Sequence, residues 1–367
     1  MNATITTICL LFLAIGTNAQ TVVSTLVNDG ATPFTDDLIE DASGNLYCAD
    51  YSGDAVFKRT PSGVVSTFVS GLNTPNGLAF NSAGELYVCD NIGSRIYTFD
   101  ATGAPLDTIV VSNPSGIIKD VASDTMIFTT YGSVSTLKKL APDGTIYDFH
   151  AGGEMNGPVG LEYCQGELYV ANFNNRKIFR VEDDTVVYIT ELPGSGSLGF
   201  LAVADDKLLA TAFNGQRIYS IDPIAGEVNI YAGSTFGGTD GALDSAKFTT
   251  PNGIYVNGTM DSIYVSEYNT GKLRLITGFT LAVPELSIET NVQLFPNPSN
   301  ATVTVQYNAE VPFDVILATL DGKELIQKSS GLMKDSTLDL TELTSGAYLV
   351  QIRIAGSVVA QERLIRY

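Results

Sequence analysis

The sequence predicts an all-β protein, with a long body of repeated four-stranded units and a small β-sandwich at the C-terminal end. The 367 residues include 35 Gly and 14 Pro but no Trp, which is typical of many short strands joined by tight turns. One strand pattern recurs six times before residue 280, and a different alternation follows it. A chain of this length is also long for one domain, which favours two.

The N-terminal residues predict a signal peptide over residues 1–19. An apolar run from Cys9 to Ile15 precedes small residues that end at Ala19, before Gln20. This run is shorter than the roughly 20 residues that a membrane-spanning helix needs, and no later segment approaches that length. We therefore predict export, with no transmembrane segment in the mature chain.

The repeated pattern is an apolar strand that ends in a polar loop. Its six copies are Leu46–Asp50, Leu86–Asp90, Met126–Thr130, Leu168–Asn172, Leu208–Ala212 and Ile263–Glu267. Their starts lie 40, 40, 42, 40 and 55 residues apart, and the last interval contains an insertion around residues 234–248. About 40 residues with four short strands is the size of one blade of a β-propeller.

The two ends of the repeated region predict how the ring closes. The sixth copy stops after its third strand, Lys272–Ile276. The missing fourth strand is found at the mature N-terminus, where Val22–Val27 nearly repeats Val64–Val69 of the first copy. We therefore predict a six-bladed β-propeller over residues 20–279, sealed by its N-terminal strand.

The sixth copy also carries a resemblance to a known repeat. Residues 232–276 resemble an NHL repeat through Gly233, Asp240-Gly241, Phe248, Pro251-Asn252-Gly253-Ile254 and Leu273-Arg274. Other copies match more loosely, and the resemblance extends over residues 21–279. It implies an NHL-like propeller fold; such propellers include both enzymes and binding scaffolds, so it does not by itself imply an activity.

After the repeats, residues 280–290 predict a linker and residues 291–367 a small Ig-like β-sandwich. Thr302–Tyr307 alternates between apolar and polar residues. Further strand-like runs are Val315–Leu320, Leu338–Leu340, Ala347–Ile354 and Val358–Ile365.

This tail resembles the C-terminal sorting domain of the type IX secretion system. The matching segments are Phe295–Pro298, Asp321–Lys323, Leu338–Leu340, Leu343–Tyr348 and Glu362–Tyr367. The resemblance implies the type IX machinery as a partner, in a Gram-negative cell of the Bacteroidetes type. It also implies a secreted or cell-surface location, and leaves open whether the tail is removed.

Charge and cysteine content exclude several classes of function. The chain has 40 acidic and 20 basic residues, so its surface repels nucleic acid. Three cysteines remain after cleavage, Cys48, Cys89 and Cys164, and their number and spacing fit neither a disulfide framework nor a zinc site. Cys48 and Cys89 lie in apolar strand-like runs, so we predict these two to be buried apolar residues. The only histidine, His150, lies in a different strand-like run, so no Cys-His pair or serine triad is indicated.

Candidate ligands come from the start of the first strand in each unit. Alignment of the copies brings six residues to the mouth of the channel: Asp36, Asn76, Ser115, Val159, Gly199 and Asn252. Because the sixth unit adjoins the first in a closed ring, Asp36, Asn76 and Asn252 become adjacent oxygen donors. They predict a hard-cation site suited to Ca²⁺. The alternative is that Pro-Asn-Gly simply forms a turn, with Asn bonded to nearby backbone.

The related gluconolactonase-like propellers hold a channel metal with carboxylate and Asn side chains in comparable turns. Asn76 and Asn252 match that turn, and Asp36 replaces the first carboxylate. The resemblance implies a metal that polarises a lactone carbonyl while a carboxylate assists water. The only acid nearby in sequence is Asp37, whose side chain is expected to point elsewhere, so we assign no catalytic residue.

Two functional classes therefore stay open. The first is an exported binding module for a glycan, a peptide or another protein. The second is a Ca²⁺-dependent, lactonase-like hydrolase with its site at the central channel. The polar residues at the anchor-strand ends are expected to be structural in both, accepting backbone hydrogen bonds in the following loop: Asp50, Asp90, Asn172 and Glu267.

Overall fold

The computed structural model describes residues 21–278 and 292–367, except 29, 31, 133–134, 152, 184, 308–312, 320–322, 332–334 and 355–356. The predicted signal peptide and linker lie outside the described residues. The chain divides into two compact units, residues 1–281 and 282–367. All regular elements in the described part of the chain are β-strands, which confirms the all-β prediction.

The larger unit contains 25 strands within its described residues. The first thirteen are β1 (Val22–Val27), β2 (Leu38–Glu40), β3 (Leu46–Ala49), β4 (Val56–Arg59), β5 (Val65–Val69), β6 (Pro75–Phe80), β7 (Leu86–Asp90), β8 (Arg95–Phe99), β9 (Pro105–Val110), β10 (Pro114–Lys119), β11 (Met126–Thr130), β12 (Thr136–Leu140) and β13 (Ile146–Ala151). The others are β14 (Pro158–Cys164), β15 (Glu167–Asn172), β16 (Lys177–Glu182), β17 (Thr185–Glu191), β18 (Leu198–Ala204), β19 (Lys207–Ala212), β20 (Arg217–Ile221), β21 (Val228–Ala232), β22 (Gly241–Ala242), β23 (Pro251–Val256), β24 (Ser262–Glu267) and β25 (Leu273–Thr277).

These strands form six antiparallel sheets within residues 21–278. Five are four-stranded and follow chain order: β2 to β5, β6 to β9, β10 to β13, β14 to β17 and β18 to β21. The sixth has the order β22-β1-β25-β24-β23. The first strands of the sheets contact one another in sequence, from β2 through β6, β10, β14, β18 and β23 back to β2. The sheets therefore close into a ring, the arrangement of a propeller.

The N-terminal strand seals this ring, as predicted. Strand β1 pairs antiparallel with β25, from Val22 opposite Thr277 to Thr25 opposite Arg274. The sequence did not predict β22, a two-residue strand in the insertion that pairs with the other side of β1. Because β1 is bonded on both sides, the closing strand does not present a free sheet edge there.

A buried ionic cluster holds the closing strand in the sixth sheet. Arg274 is fully buried and donates to Glu267 Oε1 at 2.7 Å and to Asp240 Oδ1 at 2.8 Å. The Asp240 carboxylate also accepts the backbone N–H of Thr25 at 3.0 Å and its hydroxyl at 2.8 Å. The insertion thus joins the N-terminal strand to the last strand of the ring.

Glycines allow the inner strands to approach closely. Four of the six inner strands have Gly directly after the mouth position: Gly77, Gly116, Gly160 and Gly253. A Cβ atom on Gly77 would overlap the carbonyl oxygen of Ser115, and one on Gly253 that of Asp36. These contacts require glycine whatever its torsion angles.

The first sheet has Asp37 at this position. Its Oδ2 accepts the backbone N–H of Leu78 in the next inner strand at 2.8 Å, and its Oδ1 accepts that of Leu38 at 2.9 Å. The carboxylate therefore links the first sheet to the second, and both of its oxygens accept hydrogen bonds from backbone N–H groups.

Polar side chains at the anchor-strand ends form hydrogen bonds with the neighbouring loops. Asp90 accepts the N–H of Gly93 in the following loop at 3.1 Å, as expected. It also accepts those of Asn73 and Thr74 in the loop before the inner strand, at 3.0 and 2.8 Å. Asn172 differs, because its amide donates to the carbonyl oxygen of Glu154. These residues are structural.

Cys48, Cys89 and Cys164 are free and buried, which confirms the burial predicted for Cys48 and Cys89. Burial raises the pKa of the Cys48 and Cys89 thiols above their ordinary value. His150 lies in β13, the fourth strand of the third sheet, with its Nε2 3.8 Å from a Glu154 carboxylate oxygen.

The C-terminal unit is described by seven strands: β26 (Gln293–Phe295), β27 (Thr302–Gln306), β28 (Phe313–Thr319), β29 (Glu324–Gly331), β30 (Asp335–Asp339), β31 (Gly346–Ile354) and β32 (Ser357–Arg366). They form the sheets β26-β27-β30 and β29-β28-β31-β32. Val303 and Leu338 of the first sheet share one core with Val315 and Val350 of the second. Two sheets around one core form the predicted β-sandwich; its likeness to an Ig domain stays a prediction.

No helix among the described residues has the length and apolar character that crossing a membrane requires.

Candidate functional site

A cavity of about 270 Å³ lies at the end of the ring where the inner strands begin. Four of the six predicted mouth positions line it: Asp36, Asn76, Val159 and Asn252. Ser115 is fully buried at its equivalent position, and Gly199 has no side chain to contribute. The structure thus brings the three predicted oxygen donors to one cavity, which we call the mouth.

Asn252 contacts Asp36 as a hydrogen-bond donor. Its Nδ2 donates to Asp36 Oδ1 at 2.9 Å and to the carbonyl oxygen of Thr35 at 3.0 Å. Its Oδ1 lies beside Gly199, 2.9 Å from the position that a Cβ atom on residue 199 would occupy. This geometry fits an Asn that satisfies nearby acceptors. As a metal ligand, Asn252 would have to present its oxygen instead.

Asn76 is the floor residue with an unsatisfied acceptor. Its side chain is buried and lines the mouth, and its Oδ1 accepts no hydrogen bond. An unpaired buried acceptor costs about 1–3 kcal/mol, so a ligand atom that donates to it would be stabilised. The acceptor of Asn76 is therefore unsatisfied, in contrast to the amide donor of Asn252.

The charge of the floor is not balanced. Burial raises the pKa of Asp36 well above its usual range, and the carboxylates of Asp37 and Asp50 raise it further, while the Asn252 hydrogen bond opposes them. None of the described residues that line the mouth is Lys, Arg or His. Ionised Asp36 therefore has no cationic partner within this lining.

An aromatic wall surrounds this floor, and the sequence analysis missed it. Five of the six units contribute the residue directly after the anchor strand, forming what we call the aromatic collar: Tyr51, Tyr131, Phe173, Phe213 and Tyr268. The ring centroids lie 6.3 Å apart for Tyr131 and Phe173, 5.3 Å for Phe173 and Phe213, 5.2 Å for Phe213 and Tyr268, and 6.1 Å for Tyr268 and Tyr51. An aromatic residue at one repeat position in five copies was the pattern that could have revealed it.

The second unit interrupts the collar. It has Asn91 at the equivalent position, buried and donating through Nδ2 to the carbonyl oxygen of Pro114 at 3.0 Å. Beside this interruption, burial and the charge of Asp36 raise the pKa of Tyr51 to about 12, so its phenol stays neutral. The mouth is thus a cup of five rings with one polar side.

A second cavity, of about 200 Å³, adjoins the inner strands beyond the floor and shares Val159 with the mouth. Its wall includes one buried aliphatic residue from each sheet, which we call the aliphatic ring: Leu38, Leu78, Ile117, Leu161, Leu201 and Ile254. Asp37 and Glu162 also line it, and burial raises their pKa values to about 7 and about 8.

No group of three or more His, Cys, Asp and Glu among the described residues is arranged to hold a metal ion. A cation in the mouth would therefore need the amide oxygens of Asn76 and Asn252 beside Asp36. The Ca²⁺ assignment stays a prediction.

Residues 293–366 match the family described as "Secretion system C-terminal sorting domain". This confirms the predicted tail, and the chain is exported by type IX secretion to the cell surface or the extracellular space. No curated protein matches the chain in sequence.

The chain is similar in structure to propellers of several kinds. A gluconolactonase from Xanthomonas campestris is 14% identical over 71% of this chain and 91% of that one, with a TM-score of 0.57. An auxiliary nutrient binding protein from Bacteroides thetaiotaomicron is 15% identical over 70% and 76%, with a TM-score of 0.59. A virginiamycin B lyase from Staphylococcus aureus is 16% identical over 65% and 79%, with a TM-score of 0.51. At these identities the likeness shows the fold alone.

Proposed function

We propose that this chain is an exported binding module that holds a small organic molecule in the mouth of its propeller. The observation that carries the proposal is the aromatic collar, in which five sheets each place one ring around the same polar floor. Apolar walls with a few convergent polar groups are typical of ligand sites.

The dimensions favour a compact ligand. The mouth, at about 270 Å³, is near the lower end of the roughly 300–1,000 Å³ range of small-molecule sites. Of the ligand classes open from the sequence, a single sugar unit or another small molecule fits this volume better than a folded protein surface.

The arrangement of titratable groups supports binding rather than chemistry. The lyase relative has a form with Ala in place of one His that is described as catalytically inactive. In this chain the only histidine, His150, lies in an outer strand. Asp37, the acid next to Asp36, is engaged with the backbone of Leu38 and Leu78. Hydrolysis or elimination requires a positioned acid and base, and the locations of His150 and Asp37 do not fit these roles at the mouth.

The test is a thermal-melt screen of the purified full chain with monosaccharides, amino acids, amines and sugar lactones. We expect at least one compound to raise the Tm, because a ligand that binds only the folded state stabilises it. The shift should be lost in the double variant Phe173→Leu/Phe213→Leu, which removes two rings of the collar.

Tyr147→Leu is the matched control, since Tyr147 is exposed on β13 and not part of the mouth. A shift that persists in the double variant would place the ligand elsewhere and reject the proposal. So would a screen without any shift.

A second candidate is a Ca²⁺-dependent lactonase-like hydrolase. The unpaired Oδ1 of Asn76 beside Asp36 favours it, together with the likeness to a gluconolactonase. Asp36, Asn76 and Asn252 would hold the ion, which supplies Lewis acidity toward a lactone carbonyl.

This candidate is tested by a thermal melt with and without Ca²⁺ and by a lactone hydrolysis assay, each repeated with Asp36→Asn. Stabilisation and turnover that are both lost in the variant would support it. Stabilisation without turnover would leave binding as the function. If Ca²⁺ causes neither stabilisation nor turnover, the metal site is rejected.

A further inference from the structure

We propose that the molecule bound in the mouth presents a compact organic cation, a substituted ammonium group, to the collar and floor. This inference rests on the proposed function and names the chemical class of its ligand.

The spacing of the rings suits a cation. A cation interacts favourably with an aromatic face within about 6 Å of the ring centroid. Neighbouring centroids from Tyr131 to Tyr51 are 5.2 to 6.3 Å apart, so one small group in the cup can lie within about 6 Å of two ring centroids at once. Several rings around one point are the known means of binding ammonium groups that have lost their water.

The charge of the floor has the matching sign. Asp36 lies at the base of the cup, and burial and the negative charges of Asp37 and Asp50 act on its carboxyl and raise its pKa. The lining of the mouth, as far as the structure describes it, offers no basic side chain to neutralise them. A cation bound beside Asp36 would stabilise its carboxylate form and supply the counter-charge that the described lining does not offer.

The unpaired acceptor of the floor adds to this preference. Asn76 Oδ1 has no hydrogen-bond partner, while the amide donor of Asn252 is already engaged with Asp36 and Thr35. A primary or secondary ammonium could donate to Asn76 Oδ1 once the side chain turns this buried atom toward the mouth. A quaternary ammonium would rely on the rings and on Asp36.

The whole propeller region attracts such a ligand. Residues before Pro284 include 30 acidic and 14 basic side chains. A field of this sign raises the local concentration of cations and their rate of association.

The experiment is isothermal titration calorimetry of the full chain at constant ionic strength. The probes are choline, tetramethylammonium, and dimethylbutanol, the choline analogue in which carbon replaces the charged nitrogen. We expect choline to bind about tenfold or more tightly than dimethylbutanol, because only the charge differs between these two compounds. Tetramethylammonium shows whether the charged group binds without the hydroxyethyl arm.

Variants separate the contributions. Phe213→Leu keeps an apolar wall but removes one ring, and should weaken cation binding about threefold to thirtyfold. Asp36→Asn keeps the shape and removes the charge, and should weaken it about tenfold or more. Tyr147→Leu should leave the affinity unchanged. Circular dichroism verifies folding, and Phe173→Leu replaces Phe213→Leu if the latter unfolds.

Several outcomes would overturn the inference. If dimethylbutanol binds as tightly as the cations, the ligand is not selected for its charge, yet the mouth remains a binding site. If Phe213→Leu and Asp36→Asn both bind choline as the wild type does, the cation binds outside the mouth and the inference is wrong. If the neutral compounds bind and both cations fail, the inference alone is wrong. If neither neutral compounds nor cations bind, the proposed function fails with it.

Discussion

The mouth positions and the aliphatic ring lie only two residues apart in each unit, yet they differ in whether the same type of residue recurs in all six units. The aliphatic ring has Leu or Ile in all six sheets, and all six side chains are buried. The mouth has a different set of side chains around the same circle, including one carboxylate and two amides. On the inner strands, the position that repeats in all six sheets builds the fold, whereas the position that varies around the ring is free to form a site.

The largest expected effect is on the aliphatic ring. Leu201→Ala should lower the free energy of unfolding by about 2–5 kcal/mol, because it leaves a cavity among packed side chains. Phe213→Leu in the collar should cost less than about 1.5 kcal/mol, since its volume is nearly conserved. Urea denaturation measures both. A collar variant that is as costly as Leu201→Ala would show that the collar is structural.

Asp37 is an exception to this division between repeated and varied positions, because it departs from the repeat but has a structural role. Asp37→Ala should lower the free energy of unfolding by about 1–3 kcal/mol, because the buried N–H of Leu78 loses its acceptor. Asp37→Ala should reduce the affinity for the cation much less than Asp36→Asn does. If Asp37→Ala instead abolishes binding at unchanged stability, Asp37 belongs to the site.

Asn76 should show the opposite behaviour. Asn76→Ala removes an acceptor that has no partner, so its cost in stability should stay below about 1 kcal/mol in the same urea assay. The variant should bind a primary ammonium ligand more weakly than the wild type does. A large loss of stability would indicate that Asn76 holds the inner strands together.

The last prediction concerns Glu162 in the second cavity and appears as a dependence of stability on pH. Its pKa is raised by burial to about 8, so the folded state holds a proton that the unfolded chain has released above about pH 4.3. Its contribution to stability is therefore fully present in acid and is lost as the pH rises toward 8. Glu162→Gln should flatten the fall of Tm over that interval. An unchanged pH profile would mean that Glu162 ionises freely.

Most of the fold could be predicted from the sequence, because the repeat reports strand positions directly. The exchange of Val22–Val27 into the last sheet followed from its likeness to Val64–Val69, and the register of β1 against β25 confirms it. Strand β22 could not be predicted, since Gly241–Ala242 has no strand pattern and pairs only because β1 lies beside it.

The site was predicted in part. Alignment placed Asp36, Asn76 and Asn252 around one cavity, but not the direction of the Asn252 amide, which depends on the carboxylate opposite it. The collar was missed because each aromatic residue stands alone in its own loop. Tyr51 and Phe213 are 162 positions apart in the chain, and only closure of the ring gives them a common surface.

The account depends on the mouth, rather than the second cavity, being where ligands bind. Crystals of the full chain soaked with a library of small amines, sugars and neutral fragments would test this most directly. We predict bound fragments within the collar, with amines over the rings of Phe173, Phe213 and Tyr268 and near Asp36. Fragments confined to the second cavity or the outer strands, with none in the mouth, would contradict it.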